Sequence, residues 1–295
     1  MIDVEFRPAQ QSDAAALAQL RTVIYERTRL GRPMTEADVT REFTTSRPPE
    51  AFLLAESAQG LVGWAICAES ESGGPRRALP GGVHPEYRAL GIGRRLLTWQ
   101  LDRLRPGDEP VTGVPADDAA TRALLERFGF QPRRQFIMMR RLTDPATTAS
   151  NTDLTVTAYR PEDDHQLWLA HQESFAEHYG FEPSPEEVWL DRFPRDPQFR
   201  PELSFVAFDG TQLVGFALTY GTSPVIIQQV GTRAAWRGRG AAGALLGAVV
   251  DAARDAGVPE LQLFVDAENS TGAASVYERA GFVEGMRRIQ YGRWR

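Results

Sequence analysis

The stretch Val230-Gly231-Thr232-Arg233-Ala234-Ala235-Trp236-Arg237-Gly238-Arg239-Gly240-Ala241-Ala242 decides how this chain reads. Before it stands Val225-Ile226-Ile227-Gln228-Gln229, a β-rich run. After it, Ala244, Leu245, Leu246, Val249, Val250 and Ala253 fall on one helical face, and Gly257 supplies a helix stop. The order is strand, glycine-rich loop, helix. The first turn of a helix carries unpaired N–H groups and the positive end of the helix dipole, and glycines let the backbone close on a ligand. Such a segment suits phosphate oxygens, with Arg237 and Arg239 adding charge. No Gly-Lys-Ser/Thr follows, so it is not a Walker loop. It lies deep in its half of the chain and lacks the three-glycine spacing of a dinucleotide fold.

Working outward, the pattern occurs twice. His84-Pro85-Glu86-Tyr87-Arg88-Ala89-Leu90-Gly91-Ile92-Gly93 repeats the loop in the first half. Leu61-Val62-Gly63-Trp64-Ala65 matches Leu213-Val214-Gly215-Phe216-Ala217. Both halves open on a short strand, Val4 to Pro8 and Thr157 to Pro161, each followed by an amphipathic helix. Those helices are expected from about Ser12 to Tyr25 and from about Glu162 to His178. Each half ends on a helix closed by Gly-Phe, at Gly129-Phe130 and Gly281-Phe282. The period is that of a duplicated domain, not of a solenoid. With 295 residues, two domains are expected: 1–142, a linker over 143–153 without an apolar face, and 154–295. Strands and helices alternate in each half, so the fold class is α/β (α+β).

The C-terminal element is Val265-Asp266-Ala267-Glu268-Asn269 followed by Thr271 to Ala280, Gly281 and Phe282: a strand, an asparagine, and a short helix ending Tyr277-Glu278-Arg279-Ala280-Gly281-Phe282. Together with the Arg-x-x-Gly-x-Ala spacing at Arg237, Gly240 and Ala242, and its counterpart at Arg88, Gly91 and Gly93, it resembles the GNAT superfamily of N-acetyltransferases. The resemblance covers nearly the whole chain, as two copies. It implies two tandem domains, each a mixed, mainly antiparallel sheet flanked by helices, and acetyl-CoA as co-substrate. In the second copy it assigns cofactor contacts to Val230, Gly231, Thr232, Arg237, Gly238, Arg239, Gly240, Ala241, Ala242 and Asn269, and in the first to Val83, Arg88, Gly91 and Gly93. It places Tyr277 near the thiol sulfur, as the acid that protonates the leaving thiolate.

Acetyl transfer needs a neutral amine, an anchored thioester, a stabilised oxyanion and a proton for the thiolate. A backbone N–H near Val230 to Thr232 is expected to polarise the thioester carbonyl. Many family members carry a Glu or Asp on the strand before the loop. Here Gln228 and Gln229 stand there, and neither is a base. His171, Glu173, Glu177 and His178 on the preceding helix are the alternatives, and they cannot all face one cleft; transfer through ordered water stays open. The first half departs further. Leu125 takes the place of the tyrosine and Asp117 or Asp118 that of the asparagine, on a strand expected to be short and interrupted by Gly113 and Pro115. Catalysis is expected in the second half only, and the first either binds CoA or does not.

Composition sets the remaining bounds. None of the 33 basic residues is lysine, so Schiff-base, lysine-base and lysine self-acetylation chemistry are excluded. The first 142 residues hold 20 Arg and 18 acids, the rest 13 Arg and 21 acids. The acidic second half suits a cationic acceptor, and the net charge of −6 speaks against nucleic acid. Cys67 alone allows neither a disulfide nor a multi-cysteine zinc site, and is expected as a buried, inert thiol on an apolar strand. The histidines, His84, His165, His171 and His178, lack metal-ligand spacing. Neither a signal peptide nor a membrane span is read, which predicts a cytoplasmic protein, monomer or homodimer. Ser184-Pro185-Glu186-Glu187 is expected as a capping box opening a helix from Pro185 to Asp191. The resemblance implies that this region walls the acceptor site, lined by Trp189, Phe193, Tyr179 and Phe181. The expected function is acetyl-CoA-dependent transfer to a small amine. A CoA-binding sensor without turnover, or a protein N-acetyltransferase, are the alternatives.

Overall fold

The computed structural model describes residues 3–68, 74–144, 152–178, 181–268 and 272–293. They fall into two compact units, residues 1–135 with 287–295, and residues 136–286.

The first unit runs β1 (Glu5–Pro8), α1 (Ala14–Thr28), α2 (Glu36–Arg41), β2 (Phe52–Ser57), β3 (Gly60–Ile66), β4 (Arg76–Ala78), β5 (Gly81–Val83), α3 (Ile92–Leu101), β6 (Glu109–Pro115) and α4 (Ala119–Arg127). β7 (Gln131–Leu142) follows and passes into the second unit. β1, β2, β3 and β5 pair antiparallel in that order. β4 pairs parallel with β6. β4 and β5 thus split what would be one strand, parted at Leu79-Pro80. Proline has no N–H for a ladder, so the split falls where the sequence puts it. β6 is a continuous seven-residue strand, contrary to the expected interruption. Pro115 is its last residue, and Gly113 leaves room for the Arg288 stem, whose Cδ would lie 3.0 Å from an added Cβ.

The second unit runs β8 (Thr155–Ala158), α5 (Asp164–Phe175), α6 (Glu186–Arg192), β9 (Phe205–Asp209), β10 (Gln212–Tyr220), β11 (Val225–Thr232), α7 (Ala241–Asp255), β12 (Glu260–Asp266), α8 (Ala273–Arg279) and the start of β13 (Val283–Gly292), which from Arg287 on belongs to the first unit. β8 pairs with β9, β9 with β10 and β10 with β11, all antiparallel. β11 and β12 are parallel, and Phe136–Leu142 of β7 pairs antiparallel with β12. Arg288–Gly292 of β13 pair with β6 in the first unit, and β13 also neighbours β7. A cut after Leu142 therefore differs from the units: each repeat's last strand pairs outside its repeat. Strand pairing is non-local, and composition carries no trace of it. Thr143, the first residue of the expected linker, is buried and bonds the carbonyls of Val258 and Pro259.

Two cores flank the second sheet. One packs Leu245, Leu246, Val249, Val250 and Ala253 of α7 against Ala207, Val214, Ala217, Leu261 and Leu263. The other packs Leu167 and Ala170 of α5 and Trp189, Leu190 and Phe193 around Phe216 and Leu218. β10 is buried on both faces from Leu213 to Tyr220, as its unbroken apolar run requires.

Three helix ends differ from expectation. α1 is preceded by a 3₁₀ turn at Gln11–Asp13 and runs on to Thr28. α5 stops at Phe175, because His178 N–H turns back to the Phe175 carbonyl, 2.8 Å away. α6 begins at Glu186 with Pro185 as N-cap and no side-chain cap. Ser184 cannot cap it, because its backbone is engaged with α5: its N–H meets Gln172 Oε1 (3.3 Å) and its carbonyl takes the Trp168 indole N–H (3.1 Å). No helix among the described residues is long and apolar enough to cross a membrane.

Candidate functional site

β11 carries the site. It is paired with β12 only over Val225–Ile227. At Gln228 the β10 pairing shifts register, Leu218 facing Gln229 and Thr219 facing Ile227, so Gln228 is an extra residue. Beyond this bulge β11 stays with β10 and parts from β12. Arg233 N–H bonds the Val214 carbonyl (2.9 Å), which fixes the alternation. Val230 and Thr232 then point their N–H groups away from β10, into the space the departing strand opens.

The loop follows at once. A 3₁₀ turn over Ala234–Trp236 leads to Arg237 in extended conformation. Gly238 (φ +82°) and Gly240 (φ +83°) are left-handed, and Gly240 is the N-cap of α7. An L side chain at either position is strained, and nothing lies within 4 Å of a Cβ at Gly238. Ala244 N–H is the donor to the Gly240 carbonyl, so the N–H groups of Ala241 and Ala242 lie in the first turn, ahead of the helical ladder.

The loop arginines are already paired. Arg237 Nη1 lies 3.1 Å from Glu177 Oε2, and both are largely exposed. Arg239 reaches Asp209 (2.8 Å) and Asp153 (2.5 Å). Asp209 also accepts the Trp236 indole N–H (2.8 Å), and that bond with the Arg239 pair holds its carboxyl below the usual range. Arg233 bonds Glu173 (2.7 Å). Exposed pairs of this kind are weak and exchange partners readily.

Tyr277 lies on α8 in the α7 core, 9% exposed, edge-on to Phe282 at 6.3 Å. Burial pushes its hydroxyl up to about 12. Asn269 and Tyr179 lie outside the described residues.

The other face of β11 meets α5. His171 is buried among rings: Phe175 stacked at 4.6 Å, Phe193 at 5.1 Å, Trp189 at 5.3 Å, Phe216 at 5.9 Å and Phe181 at 6.2 Å. Three of the four aromatics expected as a wall thus gather round it. Burial lowers its imidazole to about 4. Glu173 and Glu177 turn instead to the loop arginines, and His178 packs on Phe175 (4.5 Å), its imidazole also lowered by burial. The four candidate bases thus divide: Glu173 and Glu177 turn to the loop, while His171 and His178 pack on Phe175. The sequence missed that the buried member sits beside Gln229; the bulge that turns Gln229 inward leaves no mark in composition.

The first unit keeps the loop and loses its surroundings. His84, Pro85–Tyr87, Arg88, Ala89 and Gly91 repeat the conformation of the second loop, with Ala89 at φ +64° where Gly238 stands. Val83 ends β5, and Gly93 falls in the first turn of α3. Arg88 is bonded to Asp118, the N-cap of α4, and to Thr121 (2.7 Å). Leu125 joins the core with Phe130 and Tyr291. Cys67 lies just beyond β3 and is half-buried, not fully buried as expected, because the strand ends at Ile66. No group of three or more His, Cys, Asp or Glu among the described residues is placed to hold a metal.

Residues 165–282 match the acetyltransferase (GNAT) family, and residues 48–132 match the acetyltransferase (GNAT) domain. The chain is 34% identical over 239 residues to a mycothiol acetyltransferase of Streptomyces scabiei, covering 78% of this chain and 76% of that protein. It is 31% identical to the mycothiol acetyltransferase of Thermobispora bispora, covering 82% and 83%. Among solved structures, a GCN5-related N-acetyltransferase from Sphaerobacter thermophilus superposes with a TM-score of 0.80 at 27% identity, covering 98% of this chain and 95% of that one. A tandem GNAT protein from the clavulanic acid pathway has the same fold, with a TM-score of 0.75 at 16% identity. With two domain matches on one chain and relatives aligned across most of its length, the protein belongs to the GNAT family, as a tandem N-acetyltransferase.

Proposed function

We propose that the second unit binds acetyl-CoA and transfers its acetyl group to a small primary amine, and that the first unit has no catalytic role. The observation that carries this is the parting of β11 from β12 at the Gln228 bulge, directly before the loop. A thioester lying in that opening would meet the N–H groups of Val230 and Thr232. A pyrophosphate would meet the first turn of α7 at Ala241 and Ala242, with Arg237 and Arg239 exchanging their carboxylates for phosphate. Gly231, Gly238 and Gly240 allow the close approach, and Asn269 is assigned to the pantetheine arm by resemblance alone.

In the transfer, the amine nitrogen forms a bond to the acetyl carbon, the C–S bond breaks, and the electron pair leaves on sulfur. The nitrogen loses a proton and the thiolate gains one. Tyr277 is the donor to sulfur in this reading. Against an ordinary thiol near pKa 8.5, a phenol at about 12 gives its proton uphill by ~5 kcal/mol. The same dry surroundings raise the thiol's own pKa and narrow the gap. The likeness to a GCN5-related N-acetyltransferase supports an amine acceptor; the acidic balance of the second half supports a cationic one.

The test is calorimetric titration of the full chain with acetyl-CoA, followed by thiol release with a panel of primary amines. One binding site, lost in Gly240→Val, and steady thiol release support the proposal. Tyr277→Phe should lower kcat about 10²-fold with acetyl-CoA affinity unchanged. Binding without thiol release would favour a sensor, and no binding would end the reading.

A further inference from the structure

In both units the first long helix sets a side chain against the aromatic ring of the matched strand. Asp13 and Asp163 close the two equivalent capping turns. The same offset from each leads to Arg21 on α1 and His171 on α5. His171 lies against Phe216, and Arg21 lies over Trp64, its Cζ 4.6 Å from the ring centroid. A neutral imidazole in the second unit is thus replaced by a permanent cation in the first.

Arg21 is 18% exposed, and its Nη1 lies 2.6 Å from Glu42 Oε2. Glu42 opens the π-helical turn Glu42–Ser46 that follows α2. Its other oxygen, Oε1, is taken by Arg47 Nη1 at 3.1 Å. Two guanidinium groups therefore share one carboxylate, and neither has another acidic partner among the described residues. One positive charge is left over in a half-buried place, where charges are ordinarily matched.

The unmatched donors sit on one edge. A guanidinium offers two forked edges, Nη1 with Nη2 and Nε with Nη2. Glu42 engages Nη1 alone. Nε and Nη2 bond nothing among the described residues, and neither is closed off from water. That free edge has the spacing of the two oxygens of a carboxylate. It is also held in place: the Trp64 ring covers one face, Glu42 grips one end, and Arg47 fixes Glu42. A loose surface arginine loses affinity to its own ordering, and this one is ordered beforehand. The surroundings are apolar. Ile24, one turn along α1, and Met34, whose backbone bonds Thr22, are half-buried against the same core as Trp64.

We propose that the first unit binds a small monocarboxylate, its two oxygens accepting from Nε and Nη2 of Arg21 and its short apolar body lying towards Ile24 and Met34. No group is transferred there. The site stands apart from the acetyl-transfer reading of the second unit and survives the failure of that reading.

The experiment follows the indole N–H signals of the full chain by NMR during titration with sodium butyrate, with sodium chloride at equal ionic strength as control. The chain has six tryptophans, and Trp64→Phe identifies the Trp64 signal. A saturable shift of that signal with butyrate, absent with chloride, is expected. Arg21→Lys keeps the charge and removes the fork, so butyrate should bind at least about 10-fold more weakly. Glu42→Gln leaves an oxygen for Arg21 and removes the opposing charge, so butyrate should bind about 2–5-fold tighter. This second variant decides the matter where Arg21→Lys does not fold. No saturable shift, or unchanged affinity in Arg21→Lys, overturns the proposal. An affinity in Glu42→Gln no tighter than that of the unaltered chain overturns it too, since the left-over charge then draws no anion. Inorganic phosphate that shifts the Trp64 signal where butyrate does not overturns the carboxylate assignment.

Discussion

Gly231→Ala tests how tightly the strand carrying the site is fitted to the aromatic face behind it. A Cβ built on Gly231 stands 2.4 Å from Phe216 Cζ, 2.7 Å from Cε1 and 3.1 Å from Cε2. Ordinary carbon contacts begin near 3.5 Å, so the ring must retreat by about 1 Å. It has no open direction: Phe216 is fully buried, with the His171 ring at 5.9 Å and the Phe175 ring at 6.3 Å. Overpacking a filled core costs about 1–3 kcal/mol, and three ring atoms inside contact distance place this case at the upper end. For a unit of this size, about 2–3 kcal/mol lowers Tm by roughly 5–10 °C. The assay is urea unfolding and thermal melting of the full chain, alone and in Phe216→Leu. Leucine removes the ring atoms in conflict, so the alanine should cost less than about 1 kcal/mol in that background. Equal costs in both backgrounds, or a wild-type Tm for Gly231→Ala, would refute the reasoning.

Three further outcomes are expected. Ala89→Gly relieves a left-handed alanine (φ +64°) and should stabilise the first unit by about 0.5–1 kcal/mol in urea unfolding, the strain released exceeding the entropy glycine adds to the unfolded chain. His171, held near 4 by burial, stays neutral in the fold while the unfolded chain takes up a proton below about 6.5. Its folded pKa is depressed, so this contribution is complete above about 6.5 and is lost as pH falls towards 4, to the extent of ~3 kcal/mol; His171→Phe should lack that loss when urea midpoints are compared from pH 7 to 4.5. Glu177→Gln removes the carboxylate that occupies Arg237, so acetyl-CoA should bind 2–5-fold tighter by calorimetry, whereas Arg237→Ala should bind more weakly.

Local chemistry was legible in the sequence. The apolar stripe of α7, the left-handed glycines before it and the extended run of β11 follow from residue types that allow few alternatives. What stayed hidden depends on partners distant in sequence. β13 opens among second-unit residues and ends paired with β6, a pairing that neither strand's pattern encodes. The bulge at Gln228 depends on register against β10. Ser184 looks like a cap in sequence, but Gln172 and Trp168 of α5 engage its backbone, so Pro185 takes the N-cap position. The four candidate bases could be named from sequence, yet only packing separates buried His171 from Glu173 and Glu177.

The same distinction argues for one acetyl-CoA per chain. Both loops present an arginine at the matched position, and both arginines are paired with a carboxylate. The partners differ in what they lose on parting. The Glu177 side chain is 69% exposed and would return to water if a phosphate displaced it from Arg237. Asp118 is 10% exposed, caps α4 through Thr121 N–H (3.0 Å), and accepts the Thr121 hydroxyl as well (2.8 Å). Drawing Arg88 away would leave that carboxylate desolvated beside a helix start, and burial already opposes its charge. A phosphate must therefore offer Arg88 more than it offers Arg237 to reach the same affinity. The expected stoichiometry is one. Asp118→Asn, which frees Arg88 and keeps the cap, is the variant in which a second, weaker site should emerge. Two sites of equal affinity in the unaltered chain would mean that the arginine's partner does not govern binding.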